Sequence, residues 1–196
     1  VDPFQRYLDD LAKAVKKQTL HRPDLLIVAL EIADSSVSCK VTPIEVKNRT
    51  GAGVMPHASR LEALGQAKSL SSLLETIQKT SEEDGMILWQ LAYQNLLSSM
   101  IGYGFRVYSQ HLAESGKAGI LASLHMRTME AILGSAIRVE IDPGGRLIVI
   151  DGSPVSSPRD IDGDTFQETI ELSQADAGLI VRGETEALYA AMTAKL

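Results

Sequence analysis

The segment 24–49, DLLIVALEIADSSVSCKVTPIEVKNR, restricts the fold more than any other part of the chain. An apolar stretch, a polar ADSSVS tip and a second alternating stretch predict a β-hairpin. With the turn centred on residues 34–35, antiparallel pairing puts Asp24 opposite Glu45. Side chains alternate between the two faces of a strand, so Lys47 shares the face of Glu45. The sequence therefore predicts two carboxylates and one ammonium close together at the open end of the hairpin.

The remaining chain predicts helices around this hairpin and further strands after it. Apolar residues at helical spacing predict helices over 2–17, 57–79, 86–101 and 119–133, with GYGFRVY (102–108) ending the third helix and beginning a short strand. Two alternating runs around DPGG predict a second hairpin over 136–152. Further strands are expected over 165–172 and 177–181, and a closing helix over 184–196. This order predicts an α/β protein with a mixed sheet flanked by helices. We expect a core domain over 1–134 and a β-rich subdomain over 135–196 packed on it.

Composition limits the class of protein and its compartment. No apolar run is long enough to span a membrane, and no signal peptide is visible, so we expect no membrane partner. The one cysteine, Cys39, excludes an internal disulfide framework and a cysteine zinc cluster, and favours the reducing cytoplasm. Because the chain begins at Val1, we expect it to be part of a longer protein.

The distribution of charge is more informative than the net charge of −6. Residues 1–60 hold nine Lys and Arg against seven Asp and Glu, whereas residues 61–196 hold ten against eighteen. The small basic excess therefore lies in the part of the sequence that contains the first hairpin. It favours a local contact with an anion such as DNA over a uniformly basic surface.

Two carboxylates and a lysine at one strand end suit metal-assisted hydrolysis of a phosphodiester. Carboxylates hold Mg²⁺, which prefers oxygen ligands and usually keeps several waters. The metal polarises the phosphoryl group and lowers the pKa of a bound water, and a nearby ammonium offsets charge in the transition state. The structural alternative is an ordinary salt bridge between Glu45 and Lys47 at the end of the strand, which would add little stability at a surface.

Pro23-Asp24 followed by Glu45-x-Lys47 resembles the signature of the PD-(D/E)xK nuclease superfamily, the restriction-endonuclease-like proteins. The resemblance covers roughly residues 1–80. It implies that Asp24 and Glu45 are metal ligands together with the Val46 carbonyl, that Lys47 is the catalytic lysine, and that Gln66 on the following helix belongs to the catalytic set. Mg²⁺ is the implied cofactor, with Mn²⁺ as a substitute. Many members carry a glutamate on the first helix; Asp9 or Asp10 stands nearest to that place here.

The resemblance also implies a substrate and a setting. We expect a DNA endonuclease domain of a larger bacterial restriction or defence protein, with Asn48, Arg49 and Arg60 contacting DNA. A translocase or ATPase module, other defence subunits and a homo-oligomer are the expected partners. The C-terminal half resembles regions of phosphorothioation-dependent restriction proteins of the DptH type. Two alternatives stay open: a catalytically silent module that binds DNA or a partner subunit, and a Holliday-junction resolvase acting as a dimer.

Overall fold

The computed structural model describes residues 10, 12–14, 23–33, 35–50, 55–114, 118–152, 159–160, 169–184 and 186–187. The strands are β1 (Leu25–Ala33), β2 (Ser36–Arg49), β3 (Ile137–Ile141), β4 (Arg146–Asp151), β5 (Arg159–Asp160) and β6 (Thr169–Ser173). The helices are α1 (His57–Glu82), α2 (Ile87–Glu114), α3 (Ala118–Leu133) and α4 (Gln174–Val181). The helices predicted at the two ends of the chain lie mostly outside the described residues.

The strands form one mixed sheet in the order β1-β2-β4-β6-β5, and β3 also pairs with β2. β2 runs parallel to β3 and β4, β4 runs parallel to β6, and β5 runs antiparallel to β6. Parallel neighbours need a long crossover connection, which α1, α2 and α3 supply between β2 and β3. The predicted α/β class, a mixed sheet flanked by helices, is confirmed.

The first hairpin is confirmed as well. β1 ends at Ala33 and β2 begins at Ser36, and the two strands are neighbours in the sheet. A connection of two residues can join only antiparallel neighbours. β2 has 14 residues and β1 has 9, and the longer strand pairs with β3 through its first half and with β4 through its second half.

The second predicted hairpin, over 136–152, is wrong. β3 and β4 do not pair with each other but both run parallel to β2, one after the other. The flanking Cα partners are Val41 with Ile141 and Ile44 with Arg146. Two residues of β2 therefore face the four residues 142–145, and the DPGG segment is a bulge-like insertion rather than a turn.

The helices confirm two predictions and correct a third. The helices predicted over 57–79 and 119–133 correspond to α1 and α3. α2, however, continues to Glu114, and the strand expected over 102–108 is absent. In this part of α2 the Phe105 ring packs on His125 of α3, with ring centroids 4.7 Å apart.

The strand predicted over 177–181 is also wrong, because these residues lie in α4. Ser173 is the N-cap of this helix: its hydroxyl accepts a hydrogen bond from the Asp176 N–H, and Asp176 Oδ2 accepts one from the Ser173 N–H, both at 3.1 Å. This reciprocal capping box begins a helix as soon as β6 ends. Of the strand predicted over 165–172, residues 169–172 lie in β6 and the others are outside the described residues.

The chain folds as two compact units built from interleaved segments. Unit 1 comprises residues 1–20, 27–41 and 72–142, and unit 2 comprises residues 21–26, 42–71 and 143–196. Each unit thus takes part of the first hairpin, part of α1 and some of the later strands. The domain boundary expected between residues 134 and 135 stays a prediction.

Each unit has its own buried apolar residues. In unit 1, Cys39 on β2 is 1% exposed, and burial raises the pKa of its thiol to about 11. In unit 2, Met55, Ala63 and Leu64 form one cluster with Leu147 and Val149 of β4. This cluster holds the first half of α1 against the sheet, which fixes the position of Gln66. Across the described residues, no helix combines the length and hydropathy needed to cross a bilayer.

Candidate active site

Asp24 lies immediately before β1 in unit 2, and its carboxylate binds the backbone of β2. Asp24 Oδ2 accepts a hydrogen bond from the Val46 N–H at 2.9 Å. In an extended strand the N–H and C=O of one residue point to the same edge, so the Val46 carbonyl is directed to the edge at which Asp24 lies. The side chain of Asp24 is exposed. The hairpin therefore brings Asp24 beside Val46, the residue that follows Glu45.

Glu45 and Lys47 form an ion pair at the end of β2, with Lys47 Nζ 2.5 Å from Glu45 Oε1. The Glu45 side chain is only 3% exposed, whereas that of Lys47 is 36% exposed. The two residues share a face because they are two positions apart on one strand. The carboxylate is therefore held inside the protein while the ammonium remains within reach of a ligand in solvent.

Gln66 brings α1 into the same group. Lys47 Nζ donates a hydrogen bond to Gln66 Oε1 at 3.5 Å, a long bond, while it also binds Glu45. Gln66 is half-buried and lies two residues after Leu64, which packs in the core of unit 2. The lysine is thus held between an acid from its own strand and an amide from the helix that covers the sheet.

The parallel register extends this face across β4 and β6. The rows of Cα partners are Glu45, Leu147 and Thr169; then Lys47, Val149 and Glu171; then Arg49, Asp151 and Ser173. Residues in one row point to the same face of the sheet. Two further carboxylates, Asp151 and Glu171, therefore lie on the face of Glu45 and Lys47, and they are 6% and 3% exposed.

Sequence reasoning missed Asp151 and Glu171, although β6 carries a signal for the second. Thr169, Glu171 and Ser173 alternate with apolar residues, so one face of a buried strand is polar. Such a face costs free energy unless its groups are hydrogen-bonded or ion-paired, which points to a polar network or a site. The signal could not be used because it has meaning only once β6 is known to lie two strands from β2.

The three residues expected to contact DNA occupy different environments. Asn48 is exposed, and Arg49 is half-buried at the end of β2, where its carbonyl accepts a hydrogen bond from the Gly152 N–H at 3.0 Å. Arg60 on α1 is 8% exposed, and its Nη2 lies 3.3 Å from His57 Nδ1. Arg60 is therefore an interior cation, and we do not count it among the surface groups that would meet phosphates.

Asp9 and Asp10 are the two acids expected from the first helix. Asp9 lies outside the described residues. Asp10 belongs to unit 1 and pairs with Lys13 at 3.6 Å, with both side chains largely exposed.

The donor chemistry of the predicted ligands fits a hard cation. Asp24 and Glu45 offer carboxylate oxygens and Val46 offers a carbonyl oxygen, the ligand types that Mg²⁺ prefers. Throughout the described part of the chain, no group of three or more His, Cys, Asp and Glu side chains is placed to hold a metal ion. The candidate set is therefore two side chains and one main-chain group, which leaves the remaining positions to water or substrate, as is usual for Mg²⁺.

Comparison with known proteins gives no relative: no family model, no curated protein and no solved structure matches this chain.

Proposed function

We propose that this chain is a Mg²⁺-dependent deoxyribonuclease domain of the restriction-endonuclease-like type, which hydrolyses phosphodiester bonds of DNA. The proposal rests mainly on one observation: the Asp24 carboxylate binds the Val46 N–H, next to the Glu45–Lys47 pair. Asp24, which is far in sequence from Glu45 and Lys47, is thus bonded to the strand that carries this pair. An ordinary strand-end salt bridge would not require Asp24.

Asp24, Glu45 and the Val46 carbonyl would hold the metal. A Mg²⁺ ion held there would supply positive charge that polarises the scissile phosphoryl group and lowers the pKa of a bound water. The protein supplies the orientation: Asp24 is fixed by its hydrogen bond to β2, and Glu45 is fixed by burial and by Lys47. Such fixed oxygens lose little freedom when a cation binds, which favours binding.

Lys47 would act on the substrate side of the site. Its partly exposed ammonium can donate a hydrogen bond to the attacking water or to a phosphate oxygen as negative charge develops there. Gln66 holds the ammonium against the helix, which limits the number of positions it can take. The Glu45 carboxylate offsets the free energy of desolvation of the Lys47 ammonium, which is partly buried. Lys47 is therefore the proposed catalytic residue, and Gln66 a positioning residue.

The setting of this activity is proposed from the resemblance of the signature alone. We place the domain in a bacterial restriction or defence protein, with a translocase or ATPase module as a partner. Asn48 and Arg49, which follow Lys47 on the same strand, are the groups proposed to contact the DNA backbone.

Asp24→Asn tests the proposal with little risk to the fold. The amide oxygen can still accept the hydrogen bond from the Val46 N–H, and the side chain is exposed, so the thermal midpoint should stay close to that of the wild type. Losing a charged ligand of the metal should lower the rate of Mg²⁺-dependent plasmid nicking by about a hundredfold or more. Raising the Mg²⁺ concentration should recover part of the activity.

Glu31→Gln is the matched control, because Glu31 is an exposed acid of unit 1 and should leave nicking unchanged. The measurement should use the protein that contains this chain in full, with supercoiled plasmid and with Mg²⁺ or EDTA. Nicking by Asp24→Asn at the wild-type rate would contradict the proposal. DNA binding without any nicking by the wild type would instead identify a silent DNA-binding module.

A further inference from the structure

Unit 1 contains a cavity of about 400 Å³ that none of the proposed catalytic residues lines. It opens between the turn that joins α1 to α2, the first turns of α2, the end of α3 and β3. Its inner wall includes Leu97, Ile132 and Val139, of which the first two are 3% and 1% exposed. The volume falls within the range of about 300–1,000 Å³ that is common for ligand sites.

The mouth of the cavity is acidic. Glu82, Glu83 and Asp84 line it and are all exposed, and none of the described lining residues is Lys, Arg or His. Three carboxylates without a cation among the lining residues attract a positively charged group and repel phosphates. A nucleic acid is therefore a poor occupant of this cavity.

Large exposed apolar side chains continue outward from the mouth. Ile87 lines the cavity and is 66% exposed, and Leu88 and Leu91 on the same helix are 81% and 56% exposed. Leu133, at the end of α3, is 70% exposed; its carbonyl accepts a hydrogen bond from Gln94 at 3.2 Å, which ties the two helix ends together. An exposed apolar group beside a cavity is typical of a protein-binding surface.

The hydroxyl of Tyr93, a residue that lines the cavity, lies beneath the cavity surface. It is buried and has no hydrogen-bond partner among the described residues. Burial raises the pKa of Tyr93, and the charges of Cys39 and Glu82 raise it further, so the hydroxyl stays protonated. A ligand in the cavity therefore contacts Tyr93 through atoms other than this hydroxyl.

We propose that this cavity docks a basic, amphipathic peptide segment of a partner protein. One large apolar side chain of the segment enters the cavity and packs on Leu97 and Ile132. Flanking Lys or Arg side chains meet Glu82, Glu83 and Asp84. Apolar residues beside the insertion point cover Leu88 and Leu91. The inference is independent of DNA cleavage, because it uses only residues of unit 1.

The occupant can be selected from a random library without knowing the partner. A phage library displaying random peptides of about 12 residues is first passed over the triple variant Glu82→Gln/Glu83→Gln/Asp84→Asn, and the phage that bind it are discarded. The remaining phage are then selected for binding to the wild-type protein. The enriched peptides should contain a large apolar residue flanked by two or more Lys or Arg. By fluorescence anisotropy, a selected peptide should bind the triple variant at least about tenfold more weakly than the wild type.

The control variant Glu31→Gln/Glu62→Gln/Glu130→Gln removes the same number of exposed carboxylates, none of which lines the cavity, and should bind the peptide like the wild type. No enrichment over the triple variant would overturn the proposal, as would equal binding by both triple variants or enrichment of acidic peptides. Sedimentation of the protein without peptide tests whether a second copy of this chain occupies the cavity. Self-association that the cavity variant abolishes and the control variant keeps would make the occupant a second copy of this chain, and the proposed partner protein would be wrong.

Discussion

The Glu45–Lys47 pair joins a carboxylate that is 3% exposed to an ammonium that is 36% exposed. The sequence alone predicts that the two residues share a face, but not this difference in burial. A lysine at a strand end is expected to contribute little to stability. Because its partner is buried, removing the lysine leaves a carboxylate inside the protein without that cation, which is costly. Lys47 therefore has a structural effect in addition to its proposed catalytic one.

Lys47→Ala and the double variant Glu45→Gln/Lys47→Ala separate these two effects. Lys47→Ala should lower the free energy of unfolding by about 1–3 kcal/mol, measured by urea denaturation, because Glu45 loses its ammonium. It should also lower the nicking rate by about a hundredfold or more. The double variant should recover much of the stability and none of the activity, because no buried charge remains at this pair.

Lys40→Ala is the control for both measurements. Lys40 lies on the same strand and pairs with Glu140 at 3.2 Å, but both side chains are more than half exposed. Its loss should change stability by less than about 1 kcal/mol and leave nicking unchanged. A stable, fully active Lys47→Ala would contradict both roles given to Lys47.

At the scale of elements, sequence patterns predicted what is local and missed what depends on distant pairing. The first hairpin, α1 and α3 follow from alternation or helical spacing within one segment. β3 and β4 were predicted to pair with each other because DPGG is a good turn sequence. The mostly apolar run RLIVID in β4 is equally typical of a buried parallel strand, and only the partner strand decides between the two. The apolar run over 177–181 was predicted to be a strand, but the capping box Ser173-x-x-Asp176 just before it indicates the start of a helix.

The same division applies to the candidate site. Asp24, Glu45 and Lys47 could be placed together because all three belong to one hairpin. Gln66 could be proposed only through the resemblance, since its position depends on how α1 packs on β4. Asp151 and Glu171 could not be found, because the face they share with Lys47 is set by two parallel pairings.

Gly145 marks the point where the DPGG segment meets α1, and it offers a test of this arrangement. Its φ of 61° is in the left-handed region, and a Cβ there would lie 2.6 Å from Ala67 Cβ. Ala67 is fully buried and cannot move away easily. Gly145→Ala should therefore destabilise the protein by at least about 2 kcal/mol, measured by urea denaturation.

Gly65→Ala, the control for this substitution, should act in the opposite direction. Gly65 lies within α1, two residues before Ala67, and nothing lies within 4 Å of an added Cβ. Alanine there should stabilise the helix by about 0.5–1 kcal/mol. If residues 142–145 formed a hairpin turn remote from α1, Gly145 would not contact Ala67. Equal effects of Gly145→Ala and Gly65→Ala on stability would therefore contradict the parallel arrangement.

At the scale of the whole molecule, a net charge of −6 sets the conditions for contact with DNA. The chain as a whole repels a polyanion, so any binding must depend on a few cations acting at short range. Such binding releases few counterions. A plot of log affinity against log salt concentration should therefore have a shallow slope, of about −0.9 for each phosphate neutralised. Lys47 and Arg49, on adjacent same-face positions of β2, are the cations proposed for this role.

Arg49→Ala tests this proposal through the salt dependence of affinity, which reports phosphate contacts independently of cleavage. Affinity for a duplex of about 20 base pairs should be measured by fluorescence anisotropy between about 50 and 200 mM salt, with Ca²⁺ in place of Mg²⁺. Losing one phosphate contact should weaken binding for all sequences alike and reduce the slope of log affinity against log salt by about 1. Arg138→Ala removes the same charge from an exposed position on β3, in unit 1, and should leave the slope unchanged. If both variants lower the affinity equally, DNA binding depends on the overall charge of the protein and not on a contact at the end of β2. If neither variant lowers the affinity, DNA contacts the protein elsewhere, and the proposal that Arg49 helps to bind the substrate would be wrong.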